Sequence, residues 1–150
     1  MDIHKAQALA TLMLKEHGLD DWRIELRSYK STGGMTYYGT RRIGLSRLLL
    51  PKWTEDQVRQ VMLHEIAHAL VGPHQNHNDT WLSKAREIGY KGKGTHNFPT
   101  VDRRWHVVCP NHGVIGKRHR RGARGRVYSC TTCGDVVSWV DAGMTQVSSA

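Results

Sequence analysis

Residues 61–81 read VMLHEIAHALVGPHQNHNDTW, and the five residues His64-Glu65-Ile66-Ala67-His68 within them decide what the chain can be. On an α-helix, positions i and i+4 share a face, so both imidazoles can reach one metal ion. Glu65 lies one residue on, about 100° around the axis, beside that face and able to take a proton from a water held there. Apolar Val61, Met62 and Leu63 precede the motif and Gly72-Pro73 follows it, which places the histidines on an amphipathic helix with a defined end. Two buried structural histidines are the plainer alternative, but such a pair has no need of Glu65. A catalytic zinc wants three protein ligands and one open position. Glu87 on the next helix, His74 just past the helix end, and His77 at the entrance of the next helix are the candidates. Spacing alone leaves His77 and Glu87 open.

Outward from this helix the pattern is α+β. Upstream, Thr54 can cap the helix, with Gln57 three residues on, after a break at Pro51. Ile3, Ala6, Ala10, Met13 and Leu14 fall on one face of an N-terminal helix that Gly18 stops. Alternation over 22–27, a Gly33-Gly34 turn, and short apolar runs at 35–39 and 42–46 predict a small antiparallel sheet. A second helix is expected from Asn78 or Asp79 to Gly89, with Trp81, Leu82, Ala85 and Ile88 on its apolar face. Residues 91–100 have the composition of a linker. The reading therefore divides the chain into a domain over 1–100, a smaller basic segment over 101–142, and a small, polar, disordered tail over 143–150.

Composition narrows the class. The chain has 150 residues, 22 Lys and Arg against 13 Asp and Glu, and a net charge of +9. No apolar run approaches the ~20 residues of a membrane helix. The start MDIHKAQALATLML carries no basic, apolar and small-residue succession of a secretory signal. Three Cys cannot close a disulfide framework, whereas ten His with ligand-like spacings suit metal binding. These features fit a reducing cytoplasm and exclude a membrane-spanning chain.

The last third carries a second set of ligand types. Cys109-Pro-Asn-His112 and Cys130-Thr-Thr-Cys133 are two knuckles of zinc-ribbon spacing, with His112 in place of one Cys. Gly113 and Gly134 follow the knuckles, where the backbone must turn tightly. Four protein ligands close a site, so this zinc is expected to be structural. His106 is a rival ligand that falls outside the knuckle. Strands are expected at 105–108, 127–129 and 136–140. Between the knuckles, Lys117, Arg118, Arg120, Arg121, Arg124 and Arg126 stand on a Gly-broken loop without an acid among them. Such a loop can follow a phosphate backbone, independently of sequence and with strong salt sensitivity. Trp105, Tyr128 and Trp139 either stack on unpaired bases or pack the ribbon.

The stretch from Val61 to Trp81 resembles the active-site segment of the SprT-like metalloproteases, the group that includes the Spartan proteases of DNA–protein crosslinks. The resemblance extends upstream to Ile43-Gly44-Leu45-Ser46, matching their I-x-L-S strand, and downstream to His77-Asn78-Asp79-Thr80-Trp81, where they carry His-Gly-x-x-Trp/Phe. It covers residues 5–90, and through about residue 140 if their ribbon is included; those ribbons usually have four Cys. It implies a zincin-like domain with His64, His68 and His77 on a catalytic Zn²⁺, Glu65 as general base, and a zinc ribbon bearing Cys109, His112, Cys130 and Cys133. It further implies DNA, single- or double-stranded, as a partner and DNA-bound proteins as substrates. Tyr37, Tyr38, Arg41 and Arg42 are the candidate donors to the developing oxyanion. Two other functions fit the sequence: a nucleic-acid-binding ribbon protein with a metal-bound but weak HExxH site, and a zinc hydrolase of a non-protein substrate.

Overall fold

The Asp2 side chain accepts from the backbone N–H groups of His4 and Lys5 and so opens helix α1 (Ile3–Glu16), which buries Ala6, Ala10, Met13 and Leu14. The structure, a computed structural model, describes residues 1–142; the expected disordered tail over 143–150 lies outside the described residues. The chain forms two compact units, the first Met1–Val101 and the second beginning at Asp102. Among the described residues no helix is long and apolar enough to cross a membrane.

In the first unit, strands β1 (Arg23–Arg27), β2 (Gly34–Tyr37) and β3 (Arg42–Ser46) make a sheet in the order β1-β3-β2. The expected antiparallel sheet is in fact mixed: β2 runs antiparallel to β3, but β1 runs parallel to it. Alternation of side chains marks a strand without giving its direction. The most apolar strand takes the centre. Ile43 and Leu45 of β3 are fully buried, while β1 and β2 are edges with half-buried faces. The connection over 28–33 is then free to carry the chain past β3 to its far side.

Helix α2 (Glu55–Val71) follows a short 3₁₀ turn at Leu50–Lys52. Thr54 and Gln57 form a reciprocal capping box, Gln57 N–H donating to Thr54 Oγ1 at 3.2 Å and Thr54 N–H to Gln57 Oε1 at 3.0 Å. Val58, Val61, Met62 and Ile66 of α2 join Trp53, Leu49 and Leu50 in the core. Gly72, at φ +90°, ends the helix in a conformation that L side chains avoid. Helix α3 (Asp79–Glu87) is capped by Asn78, whose side chain accepts from Trp81 N–H at 3.1 Å. Its Trp81 and Ala85 are fully buried.

The linker expected over 91–100 is instead a pinned strap of the first unit. Lys91 N–H donates to Gln60, Trp53 Nε1–H donates to the Pro99 carbonyl at 2.7 Å, and Val101 N–H donates to Lys30. His96 and Phe98 pack their rings on Trp53. A composition dominated by Gly, Lys and Thr hid two ring side chains with an indole to pack against.

The second unit is a three-stranded antiparallel sheet in the order β5-β4-β6, from β4 (Trp105–Cys109), β5 (Gly113–Arg118) and β6 (Ser138–Asp141). Expected strand 127–129 is reduced to a single bridge between Ser129 and Val136. Lys117 and Arg118, expected on a loop, belong to β5 and pair with His106 and Trp105 of β4. The turn at the first knuckle sends the chain straight back along β4, so the hairpin takes these two cations before the loop begins. The buried core is small: Cys109, Cys130 and Val137, with Val107 and Tyr128 against them.

Candidate metal centres and cleft

Helix α2 places His64 and His68 one turn apart, and Asn78 caps α3 so that the preceding residue, His77, turns back over them. The three Nε2 atoms converge: His64 to His68 is 3.2 Å, His68 to His77 is 3.0 Å, and His77 to His64 is 3.1 Å. A tetrahedral zinc with bonds of ~2.0–2.1 Å has nitrogen ligands roughly 3.3 Å apart, so this triangle fits such an ion. Three imidazoles aimed at one point cannot all satisfy one another by hydrogen bonds, since each nitrogen's hydrogen or lone pair points at the shared centre. Burial, then the neighbouring histidines, holds His64 down to about 3 and His68 down to about 4, which keeps both as neutral, ligand-ready imidazoles. Trp81 forms the floor, with ring centroids 4.7, 5.2 and 4.6 Å from those of His64, His68 and His77.

The other candidate ligands stand apart from this cluster. Glu87 is exposed and pairs with Lys84, and His74 is exposed. Neither belongs to the group of converging donor atoms.

Glu65 is 6% exposed, on the side of α2 that meets β2. Thr36 Oγ1 donates to Glu65 Oε2 at 2.7 Å. Burial pushes the Glu65 carboxyl up to about 7, against the lowering effect of that hydrogen bond. A Cβ at Gly34 would lie 2.8 Å from Glu65 Cγ, so only glycine leaves the carboxylate its place. The partnership with Thr36 carries no local sequence signal beyond strand alternation, which sets Gly34 and Thr36 on one face.

Around these groups lies a cleft of about 1240 Å³, lined among others by Gly33–Thr36, Tyr38, His64, Glu65, His68, His77 and the strap residues Gly94 and His96. Of the candidate oxyanion donors, Tyr38 lines it. Tyr37 is held to Tyr29 by a hydroxyl–hydroxyl bond, Arg41 pairs with Asp21, and Arg42 lies on β3 outside the lining.

In the second unit, Cys109 Sγ lies 3.5 Å from His112 Nδ1 and 3.5 Å from Cys133 Sγ, and Cys130 Sγ lies 3.7 Å from His112 Nδ1. These separations suit a tetrahedral zinc bound by three thiolates and an imidazole, with ligand spacings of roughly 3.6–3.8 Å, and exceed a disulfide's ~2.05 Å. Backbone N–H groups of Cys133 and Thr132 hold the Cys130 thiol down to about 6. Asn111 adds bonds from its N–H to Cys109 Sγ and from its side chain to Cys133 Sγ, each at 3.4 Å. Gly113 and Gly134 turn at φ +71° and +78°. His106, on β4, is outside the cluster.

Lys117, Arg118, Arg120, Arg121, Arg124 and Arg126 are all exposed. Arg104 and Arg121 lie over the Trp105 ring at 5.5 and 5.9 Å, and Trp105, Arg121, Gly122, Arg124 and Gly125 line a shallow depression. Tyr128 and Trp139 pack edge to face at 5.5 Å, against Gly122.

Known proteins are similar to this chain to differing degrees. The chain is 27% identical to Protein SprT of Salmonella arizonae over 139 residues, and 28% identical to that of Salmonella newport, in each case with 85% of this chain and 84% of the relative covered. The crystal structure of the metallopeptidase zymogen of Pyrococcus abyssi abylysin aligns with a TM-score of 0.46 and 16% identity, covering 61% of this chain and 82% of that one. The profile of the SprT-like family matches residues 4–103, two thirds of the length and the whole of the cleft, and the chain belongs to the SprT-like family.

Proposed function

We propose that the protein is a zinc-dependent endopeptidase that docks on DNA through its second unit, a basic zinc ribbon, and cleaves proteins bound or crosslinked to that DNA. The observation that carries the reading is the convergence of His64, His68 and His77 beside buried Glu65, in a cleft walled by the edge strand β2. Membership of the SprT-like family supports it.

Among the described residues β2 pairs with β3 along one side only. Its open side can hydrogen-bond an extended peptide as an added strand, the general way a sheet edge takes a chain. When bound by the three imidazoles, Zn²⁺ polarises the scissile carbonyl and acidifies water. Glu65 accepts the proton of the attacking water and hands it to the leaving amine as the C–N bond breaks. Thr36 holds the carboxylate in the orientation that this transfer needs.

The exposed cations track phosphates without reading bases, and Trp105, near Arg104 and Arg121, offers a ring for an unpaired base. Tethering to DNA raises the local concentration of protein substrates on it, so the cleft itself needs little sequence preference.

The test is cleavage of a small basic DNA-binding protein by the zinc-loaded chain, with and without single-stranded DNA. Cleavage should be stimulated at least tenfold by DNA. Six phosphate contacts would weaken DNA binding about 10³-fold between roughly 50 and 200 mM salt, and the stimulation should vanish with it. Salt-sensitive DNA binding without any cleavage would overturn the peptidase and leave a binding module.

A further inference from the structure

The strap over 91–100 supplies one wall of the cleft, and His96 is its imidazole. The ring stacks on Phe98 with centroids 4.5 Å apart and an interplanar angle of 22°, and meets Trp53 edge to face at 5.4 Å. Its Nδ1 accepts the Phe98 backbone N–H at 3.3 Å. A ring nitrogen that accepts carries no hydrogen, so the neutral ring has its hydrogen on Nε2. Burial lowers the His96 pKa and favours that neutral form.

Nε2–H has no hydrogen-bond partner among the described residues. It faces the N-terminal end of β2: a Cβ at Gly33 would lie 3.1 Å from Nε2 and 2.5 Å from the Trp53 ring, so glycine there keeps the space in front of the ring clear. A donor without a partner therefore stands beside the residue that leads into β2, in the cleft that holds His64 and Glu65. Tyr38 also lines this cleft, but a phenol hydrogen rotates freely, whereas packing on two rings fixes the direction of the His96 donor.

We infer that His96 is a catalytic residue, its Nε2–H donating to the scissile carbonyl oxygen as that oxygen gains charge. The inference rests on the peptidase reading. The hydrogen stays on Nε2 throughout, so His96 stabilises charge and transfers no proton. A donor preoriented in this way matters most in the transition state and shows in kcat more than in KM.

The decisive variant is His96→Phe, which keeps a ring against Phe98 and Trp53 and removes the donor. Cleavage of casein by the zinc-loaded full chain with single-stranded DNA should show kcat reduced about 10²–10³-fold. KM should change by less than about threefold, with zinc content and melting temperature as in the wild type. His96→Gln, whose amide N–H can reach the Nε2 position, should recover part of kcat. A role confined to packing would leave His96→Phe active. A wild-type chain that fails to cleave sinks the peptidase reading and this inference together, whereas wild-type cleavage with His96→Phe within about threefold of it sinks the inference alone.

Discussion

Glu65→Gln should abolish proteolysis while leaving the fold and the bound metal in place. Gln has nearly the same shape, and its Oε1 can still accept the Thr36 hydroxyl that now donates to Glu65 at 2.7 Å. Burial disfavours the ionised carboxylate at this position, so a neutral amide is no burden to the core. What it cannot do is accept a proton. General-base catalysis contributes about 10²–10⁴-fold, and the variant should lose at least the lower end of that range. The check is cleavage of casein in parallel with metal content and thermal unfolding of both chains. A variant that keeps its zinc and cleaves within tenfold of wild type would remove Glu65 from the chemistry.

Cys130→Ser should unfold the second unit and spare the first. Among the described residues the second unit buries only Cys109, Cys130 and Val137, with Val107 and Tyr128 partly buried against them. Such a core offsets little of the backbone entropy that ordering β4, β5 and β6 costs. Zinc binding in small modules supplies about 10–16 kcal/mol of apparent folding free energy, and a lost thiolate forfeits much of it. Hydrogen exchange read by mass spectrometry is the measurement: amides of β4 and β6 should lose protection while those of α2 keep theirs. Chelation of the wild type should reproduce the pattern. Full protection of β4 in the variant would mean that the sheet stands without its metal.

How much of this was legible beforehand follows the range of the forces involved. Helix α2 could be read almost completely, because its cap at Thr54 and Gln57, its apolar stripe and its stop at Gly72 are local, and so is the i, i+4 pair His64 and His68. The approach of His77 was legible only through the family resemblance, since spacing also allowed Glu87. The parallel pairing of β1 with β3 was hidden, because it depends on which strand buries most deeply. The stretch 91–100 has the composition of a linker, yet His96 and Phe98 gain their place from Trp53, over 40 residues away in sequence. Thr36 was invisible for the same reason, its partner Glu65 lying on another element.

The indole of Trp81 is in ring contact with all three imidazoles of the first cluster, and this gives the protein a built-in optical probe. Co²⁺ has a partly filled d shell and absorbs at energies that drain an excited indole, whereas Zn²⁺ does neither. Exchanging one ion for the other in the cleft should therefore dim emission from Trp81 in particular. Occupancy of the site can be followed by light, in the unmodified chain and without any substrate.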